Sequence, residues 1–213
     1  MLSKSKVQAA TKAIISFANS YKYNKKRKQN DKSQSTPSIT AIAASLQSLS
    51  IQIRNNQTCK SVTQVRNLLE SLIELTRFRL CTHMTKEEDR LRVGIRSNSR
   101  KCLDWIQYFG DAQVQSDLVN VEYGKVMTIS ISTSGGKGEE LDKEIYNGLR
   151  YITFFLSSLH EGRKDQIESE GGSEEIDAQL INDGDYGNIK SKANDAKVEI
   201  LNRFKHSINQ RQL

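Results

Sequence analysis

The sequence predicts a mainly α protein: a helical bundle of about five to six helices with one short β-hairpin, a basic N-terminal arm and an acidic disordered segment. Three observations carry that expectation. Apolar residues recur at intervals of three and four through most of the chain, the spacing of a single helix face. One proline and 12 glycines in 213 residues are too few for a sandwich or barrel, which needs a turn signal about every 8 to 12 residues. Strict alternation of apolar and polar residues occurs in one place, between residues 117 and 133.

Val7, Ala10, Ile14, Phe17 and Tyr21 place the first helix over about 4–21. The polar run that follows has no periodicity and ends near Pro37, whose ring disfavours helix at the residue before it; residues 1–37 are therefore a basic helix and an exposed linker. Ile39, Ile42, Leu46, Leu49 and Ile53 form the next apolar face, with Ser38 as its expected N-cap. From Val62 to Leu80 the apolar arc is much wider, as expected of a central helix.

Thr85 and Glu88 stand at capping-box spacing, so a helix begins there and runs to Phe109. Leu91, Ile95, Cys102, Trp105, Ile106 and Phe109 make its apolar face, while Arg92, Arg96 and Arg100 line the neighbouring face as a cationic stripe. Val119, Val121 and Tyr123, then Met127, Ile129 and Ile131, alternate around Gly124-Lys125 and predict the hairpin over 117–133. Leu141, Ile145, Leu149, Ile152, Leu156 and Leu159 give a second central helix and close a core drawn over 38–160. An acidic, glycine-bearing flexible segment spans 161–187, and Ala193, Ala196, Ile200 and Phe204 mark a last amphipathic helix within 188–213.

The net charge of +7 is unevenly spread: residues 1–30 carry eight Lys/Arg and no acid, whereas residues 161–186 hold nine acids against two bases. Such asymmetry points to a polyanionic partner. Lys22, Lys25, Lys26, Arg27, Lys28 and Lys32 would each neutralise a phosphate, and Tyr21 and Tyr23 would stack on unpaired bases. Arg92, Arg96 and Arg100, with Lys101 beside them, form a second candidate contact, because guanidinium forks suit phosphates. In both places a solvated surface is the competing explanation, and KKRK also meets the composition of a nuclear import signal.

Enzyme chemistry has little to stand on. SGGKG lacks the Walker spacing, and DGDYGN places its glycine one position early for a calcium loop. His83, His160 and His206 have no partner at an interpretable spacing. Cys59, Cys81 and Cys102 lack the short pairs of a zinc or redox site and suit buried free thiols. No catalytic residue, metal, cofactor or small-molecule substrate is expected. No apolar run approaches the roughly 20 residues of a membrane span, and the first residues lack the apolar centre of a secretory signal, so an intracellular place is expected, with cytoplasm and nucleus both open.

In composition the chain is similar to the nucleic-acid-associated or matrix-type proteins of RNA viruses: small, basic, helical and poor in cysteine, with charged arms. The leading expectation is non-enzymatic, largely sequence-independent RNA binding. The alternatives are a matrix-type protein that self-associates on an anionic membrane surface, and a helical adaptor for a protein partner.

Overall fold

The structure is a computed structural model that describes residues 4–26, 36–56, 59–79, 85–132, 142–158, 172–181 and 188–210. The described residues are almost wholly helical, with no strand among them. Ten helices run in order among the described residues: α1 Lys4–Lys26, α2 Thr36–Asn56, α3 Cys59–Thr63, α4 Leu68–Thr76, α5 Lys86–Phe109, α6 Ala112–Asn120, α7 Tyr123–Ser132, α8 Asp142–Ser158, α9 Gly172–Gln179 and α10 Ile189–Gln210. They pack as two compact units, Met1–Val121 and Glu122–Leu213. The boundary falls inside the stretch that the sequence reads as one core.

In the first unit α5 is central, lying against α2, α4, α3 and α6, while α1 rests on α2 and α4. Ile14 and Phe17 of α1, Leu46, Leu49 and Ile53 of α2, Leu68, Leu72 and Leu75 of α4, and Ile95, Leu103 and Ile106 of α5 are all buried. The start of α5 is the cap expected from its sequence: Thr85 is extended, its hydroxyl accepts the Glu88 backbone N–H at 3.3 Å, and it donates to the Glu88 carboxylate. Pro37 sits in the first turn of α2 rather than before it. A proline costs nothing there, since the N–H it lacks would have had no intrahelical partner. Ser38 is therefore inside the helix and does not cap it.

The single helix expected over 62–80 is instead α3 and α4 separated by a turn. Asn67 adopts φ 66°, a left-handed conformation that asparagine tolerates better than most residues, and β-branched Val62, Thr63 and Val65 propagate a helix poorly on its approach. α4 ends at Thr76 with Arg77 as its cap, and Arg79, in the turn beyond it, also has positive φ, 46°.

The hairpin expected over 117–133 is not formed; that stretch is the end of α6 and all of α7. Asp111 caps α6 by accepting the Val114 N–H at 3.2 Å. Glu122 at φ 60° turns the chain into α7. Tyr123, Val126, Met127 and Ile131 are buried and Ile129 only half-buried, so the period that governs burial is 3.6 and not 2. Two hydroxyls fold back onto the helix, Thr128 to the Gly124 carbonyl at 3.1 Å and Ser130 to that of Met127 at 2.6 Å, which removes their claim on an extended partner.

In the second unit α8 packs on α7 and α10, and α9 packs on α7 and α10. A Cβ at Gly148 would come within 2.8 Å of Ser130 Oγ and 3.2 Å of Ile131 Cγ1, so glycine is what lets α7 and α8 approach so closely. Part of the segment expected to be disordered is ordered: α9 buries Ile176, and its Gln179 amide donates to the Ile131 carbonyl at the end of α7. Residues 161–171 and 182–187 of that segment lie outside the described residues. No described helix is long and apolar enough to cross a membrane.

Candidate nucleic-acid interface

Helix α1 holds no Asp or Glu in 23 residues. Its apolar face, through Ile14, Phe17 and Ala18, is buried, and its opposite side is exposed at Gln8, Lys12, Ser16, Asn19 and Tyr23, while Lys22 and Lys25 are exposed at its C-terminal end. Gln8, Lys12, Ser16 and Asn19 line a shallow depression of about 480 Å3 whose far wall includes Val65 of the α3–α4 turn. At 1.5 Å per residue the face extends roughly 22 Å from Gln8 to Tyr23. Amide and hydroxyl donors occupy its middle and lysines its end, where the carbonyl end of the helix dipole favours cations.

The helix runs through Lys26, so Lys22, Tyr23, Lys25 and Lys26 belong to it and not to an irregular linker. Arg27, Lys28 and Lys32 lie outside the described residues. Lys25 is 60% exposed and pairs at 3.5 Å with Glu74 of α4. Glu74 is only 17% exposed, but a pair whose lysine stands in solvent holds little energy and leaves the ammonium within reach of a stronger anion.

The two tyrosines have opposite fates. Tyr23 is 53% exposed. Tyr21 is only 6% exposed: its ring centroid lies 4.9 Å from that of Phe78, and its hydroxyl accepts the Arg79 backbone N–H at 3.0 Å. That bond satisfies a donor at the strained turn after α4 and ties the basic end of α1 to the first unit. Tyr21 is thus a core tie and cannot stack on a base.

The arginine stripe of α5 does not face solvent. Arg92, Arg96 and Arg100 are 2%, 2% and 1% exposed. Arg96 Nη1 donates to the Phe78 carbonyl at 3.2 Å, covering an acceptor just beyond the end of α4, and Arg92 pairs with Asp89 at 3.4 Å. Asp104 and Gln107 are buried on the same helix. A guanidinium is weakly hydrated and carries five fixed donors, so it can be buried where carbonyls receive it. Period alone could not separate a wet stripe from this one, because α5 is covered on two sides by α2 and α4. Lys101, by contrast, is half-buried on the remaining side of α5.

Sequence reasoning missed Gln8, Lys12, Ser16 and Asn19. The available signal was their helical spacing to Tyr23, which puts them on one side of an acid-free helix. Cys102 is buried as expected of a free thiol, and burial pushes its pKa far up against the weaker opposing pull of Lys101. Among the described residues no group of three or more His, Cys, Asp or Glu could hold a metal ion. Comparison with protein-family models and with curated proteins finds no match for this chain.

Proposed function

We propose that this chain is a non-enzymatic protein that binds nucleic acid, RNA in the first place, without reading its sequence, through the outward face and basic end of α1. The observation that carries the proposal is a 23-residue helix free of carboxylates whose exposed side chains, Ala9 and Ala13 apart, are hydrogen-bonding or cationic. Lys12, Lys22 and Lys25 neutralise phosphates and release counterions; Gln8, Ser16 and Asn19 donate to phosphate and sugar oxygens; Tyr23 offers an exposed ring to an unpaired base. Arg27, Lys28 and Lys32 follow in the chain and extend the cationic tract. The arginines at 92, 96 and 100 take no part, since a buried guanidinium cannot meet a phosphate without opening the unit.

Purification with and without nuclease tests this. The expected result is an absorbance ratio at 260 and 280 nm that falls on nuclease treatment, and a variant with Lys22, Lys25, Lys26, Arg27, Lys28 and Lys32 changed to glutamine that carries no nucleic acid at all. Equal ratios with and without nuclease, followed by failure of the purified protein to retain added RNA, would overturn it. Sedimentation with phosphatidylserine vesicles in that event would make the same face a membrane contact.

A further inference from the structure

The last two turns of α5 carry an aromatic trio that the α1 interface does not use. Trp105 and Phe109 are stacked, centroids 6.0 Å apart and planes 21° from parallel. Tyr108 meets both edge-on, at 6.0 Å and 86° to Trp105 and at 4.9 Å and 90° to Phe109. Tyr108 is 57% exposed while Trp105 and Phe109 are half-buried, so the trio is rooted in the unit and presents its outer part to solvent.

The side of α5 on which Trp105 and Tyr108 stand also holds Glu87 and Arg90 in its first turns, then Gly94, Asn98 and Lys101. From Gly94 to Phe109 its one carboxylate, Asp104, is buried. A Cβ built on Gly94 would meet nothing within 4 Å, which marks this side as open. Lys101 precedes Tyr108 by two turns, roughly 10 Å along the axis, and takes part in none of the ion pairs among the described residues.

We infer that Trp105, Tyr108 and Phe109 form a stacking platform for the unpaired bases of single-stranded nucleic acid, with Lys101 taking an adjoining phosphate. This deepens the α1 proposal and rests on it for the class of ligand. A protein partner would gain the same apolar area, but rigid rings beside a cation, on a side poor in acids, favour a ligand that offers flat π-faces and negative charge together. Every base has such a face, so the platform is blind to sequence and selects for strandedness: a duplex keeps its bases stacked on each other.

Trp105 is the sole tryptophan of the chain and reports directly on its own stacking. Titration of the full-length protein with a fluorescein-free single-stranded RNA 12-mer should quench its emission, and an abasic oligonucleotide of equal length should bind with no comparable quenching. Tyr108→Ala should weaken single-strand affinity by roughly 5- to 100-fold with its salt dependence unchanged, and Tyr108→Phe should restore it. If RNA binds by a mobility or sedimentation assay while Trp105 emission is unmoved, the platform is overturned and the α1 interface stands. If RNA binds by no assay, both fall.

Discussion

The end of α1 and the middle of α5 are the two most cationic helical stretches of the first unit, and they meet water in opposite ways. Lys22 and Lys25 stay exposed, whereas Arg92, Arg96 and Arg100 are buried, Arg96 against the Phe78 carbonyl beyond α4 and Arg92 against Asp89. The chemistry of the two cations accounts for the difference. An ammonium is compact, strongly hydrated and costly to dry, so lysines gather where a helix ends in solvent. A guanidinium is planar and weakly hydrated and can close the open carbonyls of a neighbouring helix. A basic stripe on a helical wheel is therefore a different object when it is made of arginine on a central helix than when it is made of lysine at a free end.

The largest expected effect breaks the interior half of this contrast. Arg96→Ala removes the donor to the Phe78 carbonyl and should cost about 3 kcal/mol, measured by urea unfolding followed through Trp105. Arg96→Met, which keeps the volume, should cost less and leave RNA affinity unaltered. A loss of affinity in the folded Met variant would put the stripe back among the contacts.

Cys102, buried on the apolar face of the same helix, should make stability pH-dependent. Its folded pKa lies above the ordinary 9.0, so the folded thiol keeps its proton while the unfolded one loses it. The associated stability is whole below pH 9.0 and declines as pH rises above it, by about 1.4 kcal/mol at pH 10. Wild type and Cys102→Ala should accordingly converge in stability between pH 8 and 10.

Tyr21→Phe sharpens the boundary between interior and interface. It deletes one buried hydrogen bond and should cost about 1 kcal/mol, again by urea unfolding, with no change in RNA affinity. Tyr23→Ala should do the reverse. The smallest effect belongs to Glu74→Gln, which frees Lys25: stability should move by less than about 0.5 kcal/mol, and RNA affinity should rise slightly.

Helical class, the Thr85 cap and the spans of α5 and α8 were legible because each rests on local signals, a cap or an uninterrupted 3.6 period. The α6–α7 region was not, since Met127, Ile129 and Ile131 alternate while Tyr123, Val126, Met127 and Ile131 also fit a helix, and only packing chooses between the two periods. Asp111 ahead of Val114 and Leu118 was the overlooked hint of α6. The break at Asn67 depends on one backbone angle that no pattern of apolar residues records. Tyr21 reads both as the last apolar residue of the first helix and as a stacking ring, because a helix end is hard to locate in a polar run; the helix continues to Lys26, which leaves Tyr21 on its buried side and Tyr23 on its exposed side. The burial of the arginines needed the positions of α2 and α4, which lie far from α5 in sequence.

The salt dependence of RNA affinity tests the contrast between the two cationic regions most directly. Binding of a labelled single-stranded RNA, followed by anisotropy over a range of salt, should give a log–log slope that becomes shallower by about 2 when Lys22, Lys25 and Lys26 are changed to glutamine, since each phosphate neutralised on a single strand contributes roughly 0.7. The same slope in wild type and variant, or a comparable loss in Arg96→Met, would contradict the assignment of the interface to α1.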